Sequence, residues 1–271
     1  MTPRPGMAAA SFARRGASRR PWPGGARTCF HEADPEAPLV RRAAAEGLGT
    51  AMLVLAAGGA GLAAERAFGP GADLILPMLA LTIPAALAGL IVAFGALSGG
   101  HFNPLITGLQ WLAGDRSGRC LAAYAAAQTA GAAAGGVAAA LLWGVRAGAG
   151  ALALPSPGWP EAASEAAASA GLMLVVFGCA RSLKPETGPF AVAAWLTAAI
   201  LALPSMSCAN PAVALGVVLT AGPAALPASA LAWFWPAQVG GALAAFACIQ
   251  LLFPRRGGAG RALLLQPGDP S

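Results

Sequence analysis

Two stretches of this chain, SGGHFNP (98–104) and SMSCANP (205–211), share the spacing Ser-x4-Asn-Pro, and each lies beside or within apolar sequence. They are not isolated. EGLGTAMLVL (46–55) and EAAASAGLML (165–174) both read Glu-x3-Thr/Ser-Ala-x-Leu-x-Leu, and AQTAGA (127–132) and AQVGGA (237–242) both read Ala-Gln-x2-Gly-Ala. Three signatures in the same order in each half mark an internal repeat. No other feature limits the fold as much.

What is repeated is apolar. The 271 residues are 57% hydrophobic and 10% charged, whereas a soluble domain carries about a quarter charged residues. Apolar blocks run over 43–64, 77–97, 120–144, 166–180, 189–203 and 229–253. Several reach the roughly 20 residues that cross a bilayer core, and the two short ones, 166–180 and 189–203, are read as spans with their polar flanks included. The prediction is an all-α membrane protein with six spanning helices. Abundant Gly and Ala let helices approach closely in lipid.

Three spans per half is an odd number. The halves must therefore insert with opposite orientation, as an inverted repeat related by an axis in the membrane plane. The Asn-Pro stretches then become equivalent, one entering from each face. From Asn103 to Trp111 is about nine residues, or roughly 14 Å of helix, half a bilayer core. The same holds from Asn210 to Leu219. Asn caps a helix well, and Pro suits its first turn, where the missing N–H is no loss. Each stretch is read as a half-helix that stops mid-membrane. Irregular backbone at that depth is tolerated where it is buried in protein or lines a wet cavity, so two half-helices meeting tip to tip imply a pore.

Of the 17 Lys and Arg, all but Arg66 and Arg146 fall on the side of the two termini, so both termini are expected in the cytoplasm. The net charge of +6 is a topology signal here, not a nucleic-acid footprint. Residues 1–38 read as a disordered Arg-rich cytoplasmic tail, with Met7 as an alternative start and a transit peptide as the other reading. The channel domain is expected over 39–254, with repeat one at about 39–145 and repeat two at about 160–254, followed by a short tail, 255–271. Cys29, Cys120, Cys179, Cys208 and Cys248 show no paired metal spacing, and they are read as small apolar packing residues.

These loops resemble those of the aquaporin, or major intrinsic protein, family: SGGHFNPLITG its first Asn-Pro-Ala loop and CANPAVALG its second. The repeated Glu and the Ala-Gln-x2-Gly-Ala segments match too, and the likeness covers about residues 40 to 253. It implies a right-handed bundle of six helices and two half-helices in a plasma (inner) membrane. It also implies a homotetramer with one pore per subunit, passing water or small neutral solutes with no cofactor and no catalysis. The pore motifs fall on Asn103, Pro104, Leu105 and on Asn210, Pro211, Ala212. Leu105 replaces the usual Ala and is expected to loosen or shift the contact between the tips.

The larger departure follows the second Asn. The family usually has Arg three residues on, where this chain has Val213, and glycerol-type members usually have Asp where it has Ala214. Counting from the loops puts the four filter positions at Ile83, Ile200 (or Ala199), Ser207 and Val213. A water-selective filter reads aromatic, His, small, Arg; this one has lost its charge and most of its donors. The segment AAILALPSMSCANPAV also resembles a bacterial branch whose members often accompany arsenic-handling genes and which likewise replaces the filter Arg.

In such a pore Asn103 and Asn210 aim their amides at passing oxygens, and the half-helix N-termini, each about half a positive charge, oppose cations and proton hopping. His101 and Cys208, each two residues before its Asn, are expected at vestibules, together with Ile106; His101 matches a family His near the cytoplasmic mouth, and mercurials would block at an exposed Cys208. Glu46 and Glu165 are intramembrane carboxylates. In isolation they permit a proton relay, but their symmetry favours anchoring the loop backbones. Gln128 and Gln238 are read as interhelical hydrogen-bonding residues.

The expected function is a passive channel for small uncharged solutes, such as neutral arsenite, its methylated forms or glycerol, with some water. The alternatives are an ordinary water-selective pore, a secondary transporter with inverted repeats, a membrane enzyme, or a structural protein with a closed pore. A transporter would need coupling residues in the pore, and an enzyme would need the clustered His, Asp or Cys that two His residues, one of them (His31) in the tail, do not supply.

Overall fold

A computed structural model describes residues 37–148, 157–181 and 185–252; residues 1–36, 149–156, 182–184 and 253–271 lie outside them, and with them Cys29, His31, Lys184 and most of the arginines near the termini. All regular structure among the described residues is helical. In chain order the elements are α1 (Leu39–Phe68), α2 (Ile75–Ser98), α3 (Pro104–Leu112), α4 (Gly118–Leu142), α5 (Trp159–Ala180), α6 (Gly188–Ala202), α7 (Pro211–Val218) and α8 (Ala230–Leu252).

Five helices (α1, α2, α4, α5 and α8) are long and apolar enough to cross a membrane. The sixth, α6, is apolar but has 15 residues. At 1.5 Å per residue it covers about 22 Å, and the 3-10 turn before it, Pro185–Thr187, brings the rod to about 28 Å, close to a bilayer core. The expected span at 166–180 is longer than its apolar block, because α5 begins at Trp159 with Pro160 in its first turn and Glu161 Oε2 accepting from Gly158 N at 2.8 Å.

The halves correspond element by element: α1 with α5, α2 with α6, α3 with α7, α4 with α8. The most extensive contacts join α1 to α4 and α5 to α8 within each repeat. Missing side chains make this approach feasible. A Cβ on Gly131 would run into the carbonyl oxygen of Gly47, and one on Gly241, in the second repeat, into that of Ala166. The repeats then interlock, with α2 against α6, α7 against α4 and α3 against α8.

α3 and α7 have 9 and 8 residues. Each starts on its Asn cap. Asn103 Oδ1 accepts from Leu105 N at 2.9 Å, and Asn210 Oδ1 from Ala212 N at 3.0 Å. Both are half-helices whose N-termini meet inside the bundle.

Candidate pore

The loops that aim α3 and α7 inward are each held by one buried carboxylate. Glu46, on α1, accepts at Oε1 from Ser98 Oγ (2.6 Å) and His101 N (2.9 Å), and at Oε2 from Phe102 N (2.6 Å) and Gln128 Nε2 (2.9 Å). Glu165, on α5, accepts at Oε1 from Ser205 Oγ (2.6 Å) and Cys208 N (2.9 Å), and at Oε2 from Ala209 N (2.9 Å) and Gln238 Nε2 (2.6 Å). Ser98 Oγ itself accepts from Gly100 N, and Ser205 Oγ from Ser207 N, so each hydroxyl proton goes to the carboxylate. Every partner is a donor, which only an acceptor-only carboxylate satisfies. Both glutamates are fully buried, and neither lines the cavity described below.

The loops bend in the same way. Phe102 (φ 47°) and Ala209 (φ 46°), one residue before each Asn, are both left-handed, as are Gly99 and Gly100 in the first loop and Met206 and Ser207 in the second. In the first loop glycines take this conformation at little cost; the second uses residues that adopt it uncommonly.

The two tips clasp each other. Asn103 Nδ2 donates to Ala209 O at 2.9 Å, and Asn210 Nδ2 donates to Phe102 O at 2.7 Å. Each amide nitrogen carries two protons, so one is committed across the interface and the second is left for the cavity. Leu105 does not loosen this contact, contrary to expectation. Its side chain turns into the main apolar core, and both cross-bonds are short.

A cavity of about 90 Å³ runs past the tips, room for several water-sized molecules at about 10–15 Å³ each. Both Asn residues line it, as do His101, Cys208, Ile106 and Val213. So do Ile83, Ile200 and Ser207; Ala199, the alternative to Ile200, does not. Pro104, Leu105, Pro211 and Ala212 lie outside the wall, and Gln128 and Gln238 stand behind it on the glutamates.

Most of the wall is aliphatic. Leu79, Ile83, Leu87 and Ile91 on α2 line it together with Val192, Leu196 and Ile200 on α6. Four-residue spacing puts each set on one helix face. The sequence analysis named only one member of each ladder, Ile83 and Ile200. It also assigned no role to Ser98 and Ser205, which the repeat had already aligned. Chemically the cavity offers a few hydrogen-bonding atoms in an apolar tube and no clustered acids or nucleophiles. Among the described residues no group of three His, Cys, Asp or Glu could hold a metal.

An inverted pair of helix triplets with two clasped, Asn-capped half-helices beside a mostly apolar cavity is the arrangement of a membrane channel. The sequence model of the major intrinsic protein family matches residues 35–208, and the chain belongs to that family. It is 36% identical over 232 residues to the aquaglyceroporin AqpS of Rhizobium meliloti (strain 1021), covering 82% of this chain and 94% of that one. The fold is also similar to the X-ray structure of the aquaglyceroporin from Plasmodium falciparum, with TM-score 0.59, 18% identity, and coverage of 79% of this chain and 96% of that chain. The protein is thus a multi-pass integral membrane channel.

Proposed function

We propose that this channel passes small uncharged solutes that carry hydroxyl groups, namely neutral arsenite or its methylated forms and glycerol, together with water, while excluding ions and protons. The observation that carries this reading is Val213. It lines the cavity three residues after Asn210, where the family usually places Arg. With Ile83, Ile200 and Ser207 completing the filter, no fixed charge remains at the constriction, so a polar solute meets a wall that favours less polar permeants. The aquaglyceroporin named above supports glycerol as one of them. Two half-helix N-termini still face the passage, and they oppose cations.

The remaining features belong to the same reading: a homotetramer in the inner membrane, both termini in the cytoplasm, and a channel domain over 39–254 with residues 1–38 and 255–271 as tails. The test is stopped-flow light scattering on proteoliposomes under inward gradients of glycerol and neutral arsenite. Reswelling faster than in protein-free vesicles is expected for both. Rapid water flow with no solute entry sinks the proposal.

A further inference from the structure

The helix α6 is apolar on every side, so hydrophobicity alone does not decide which of its faces meets the cavity. Of its 15 residues only Trp195 and Thr197 carry a polar side-chain atom, and they flank Leu196, a member of the wall. At about 100° per residue they leave the helix on either side of that rung. Trp195 Nε1 donates to Ala168 O on α5 at 3.1 Å, and its ring fills the space that a Cβ on Gly171 would enter. Thr197 Oγ1 donates to Ala80 O on α2 at 3.1 Å.

The acceptor on α2 is there because of a proline. Pro84, buried inside α2, has no N–H, so the carbonyl four residues earlier loses its helical partner. That carbonyl is Ala80 O, the one that Thr197 takes. In lipid a carbonyl freed in this way needs another donor, and a Ser or Thr hydroxyl supplies one. The two ends of the bond sit alike on their helices. Ala80 follows Leu79 and precedes Ile83 by three residues, and Thr197 follows Leu196 and precedes Ile200 by three. All four of those neighbours line the cavity, whereas Ala80, Pro84 and Thr197 do not. The bond also joins the two repeats, since α2 belongs to the first and α6 to the second.

We propose that Thr197 is a positioning residue for selectivity: by taking the carbonyl that Pro84 frees, it fixes the rotation of α6 against α2, and with it the gap between Ile83 and Ile200. It acts through those two side chains and touches no solute. Trp195 holds the same helix from the α5 side, so loss of the Thr197 bond lets α6 pivot on that flank without detaching. This rests on the reading of the cavity as the solute path, with Ile83 and Ile200 in its filter.

The experiment measures glycerol and water flux through the full chain in proteoliposomes. Thr197→Val keeps the shape of the side chain and removes the hydroxyl. It is expected to change the ratio of glycerol to water flux about threefold, the scale of one interhelical hydrogen bond in lipid. Mere loss of folded protein lowers both fluxes alike and leaves the ratio unmoved. Thr197→Ser should keep the native ratio. Pro84→Ala restores an N–H that takes Ala80 O within α2, so adding Thr197→Val to it should change the ratio no further. An unchanged ratio in Thr197→Val, or the same change on both backgrounds, overturns the proposal. If the native protein conducts water and no glycerol, the proposed function fails, and melting temperatures of the same variants decide the link. A loss in Thr197→Val that vanishes on the Pro84→Ala background upholds it, and equal losses overturn it.

Discussion

Glu46 and Glu165 stand in equivalent places on α1 and α5 and make the same four hydrogen bonds: one to a Ser hydroxyl, two to successive loop N–H groups and one to a Gln amide. A carboxylate in lipid is expensive, and here each one is spent on holding a left-handed loop. This is why the half-helices begin where they do. Without those acceptors, the N–H groups of His101, Phe102, Cys208 and Ala209 would be buried and unpaired.

Glu46→Gln and Glu165→Gln should therefore be equally damaging. An amide must turn its NH2 toward groups that are themselves donors, breaking about two charged hydrogen bonds at roughly 1.5–3 kcal/mol each. Thermal unfolding of the purified protein in detergent should show a large and similar loss in both variants. A proton-relay role predicts the opposite, a stable protein with altered transport.

Helix packing offers a sharper contrast, between adjacent residues. A Cβ at Gly241 strikes the backbone of Ala166 on α5, whereas a Cβ at Gly240 meets nothing within 4 Å. Gly241→Ala should destabilise by about 1–3 kcal/mol or more, as overpacking does. Gly240→Ala should be neutral or stabilise by up to about 1 kcal/mol through helix propensity. Melting temperatures of the two variants check this directly.

Met206 and Ser207 hold left-handed backbone that Gly99 and Gly100 hold in the other loop. That conformation costs a residue with a Cβ about 1–2 kcal/mol, partly offset by the greater unfolded-state entropy of glycine, roughly 0.5–1 kcal/mol. Met206→Gly is expected to raise stability by up to about 1 kcal/mol, and Gly100→Ala to lower it by about 1–2 kcal/mol. Denaturation of the two variants side by side tests whether the loops are strained unequally.

The architecture was legible because the chain repeats itself. The aligned Glu, Asn-Pro and Gln signatures gave the inverted repeat and the half-helices, and α3 and α7 have the lengths that half a bilayer predicts. Other features could not be read. The serines that bridge loop and carboxylate were aligned in the sequence, but Ser98 finds Glu46 from 52 residues away, and no local pattern announces that. The bend of the second loop was hidden, since Met-Ser gives no sign of the conformation that Gly-Gly advertises. The aliphatic ladders of α2 and α6 sit in helices apolar on all sides, where no hydrophobic period singles out the pore face. Leu105 misled for a related reason: its size was visible, but the direction of its side chain was not.

The most direct test of the account is Val213→Arg, measured in proteoliposomes against gradients of water, glycerol and neutral arsenite. The substitution returns a charged donor to a wall that otherwise lacks one. The account predicts that glycerol and arsenite flux fall by roughly tenfold or more, a barrier of about 1.4 kcal/mol, while water still moves. If the native protein conducts only water, and Val213→Arg changes little, the apolar filter does not set selectivity and the account is wrong.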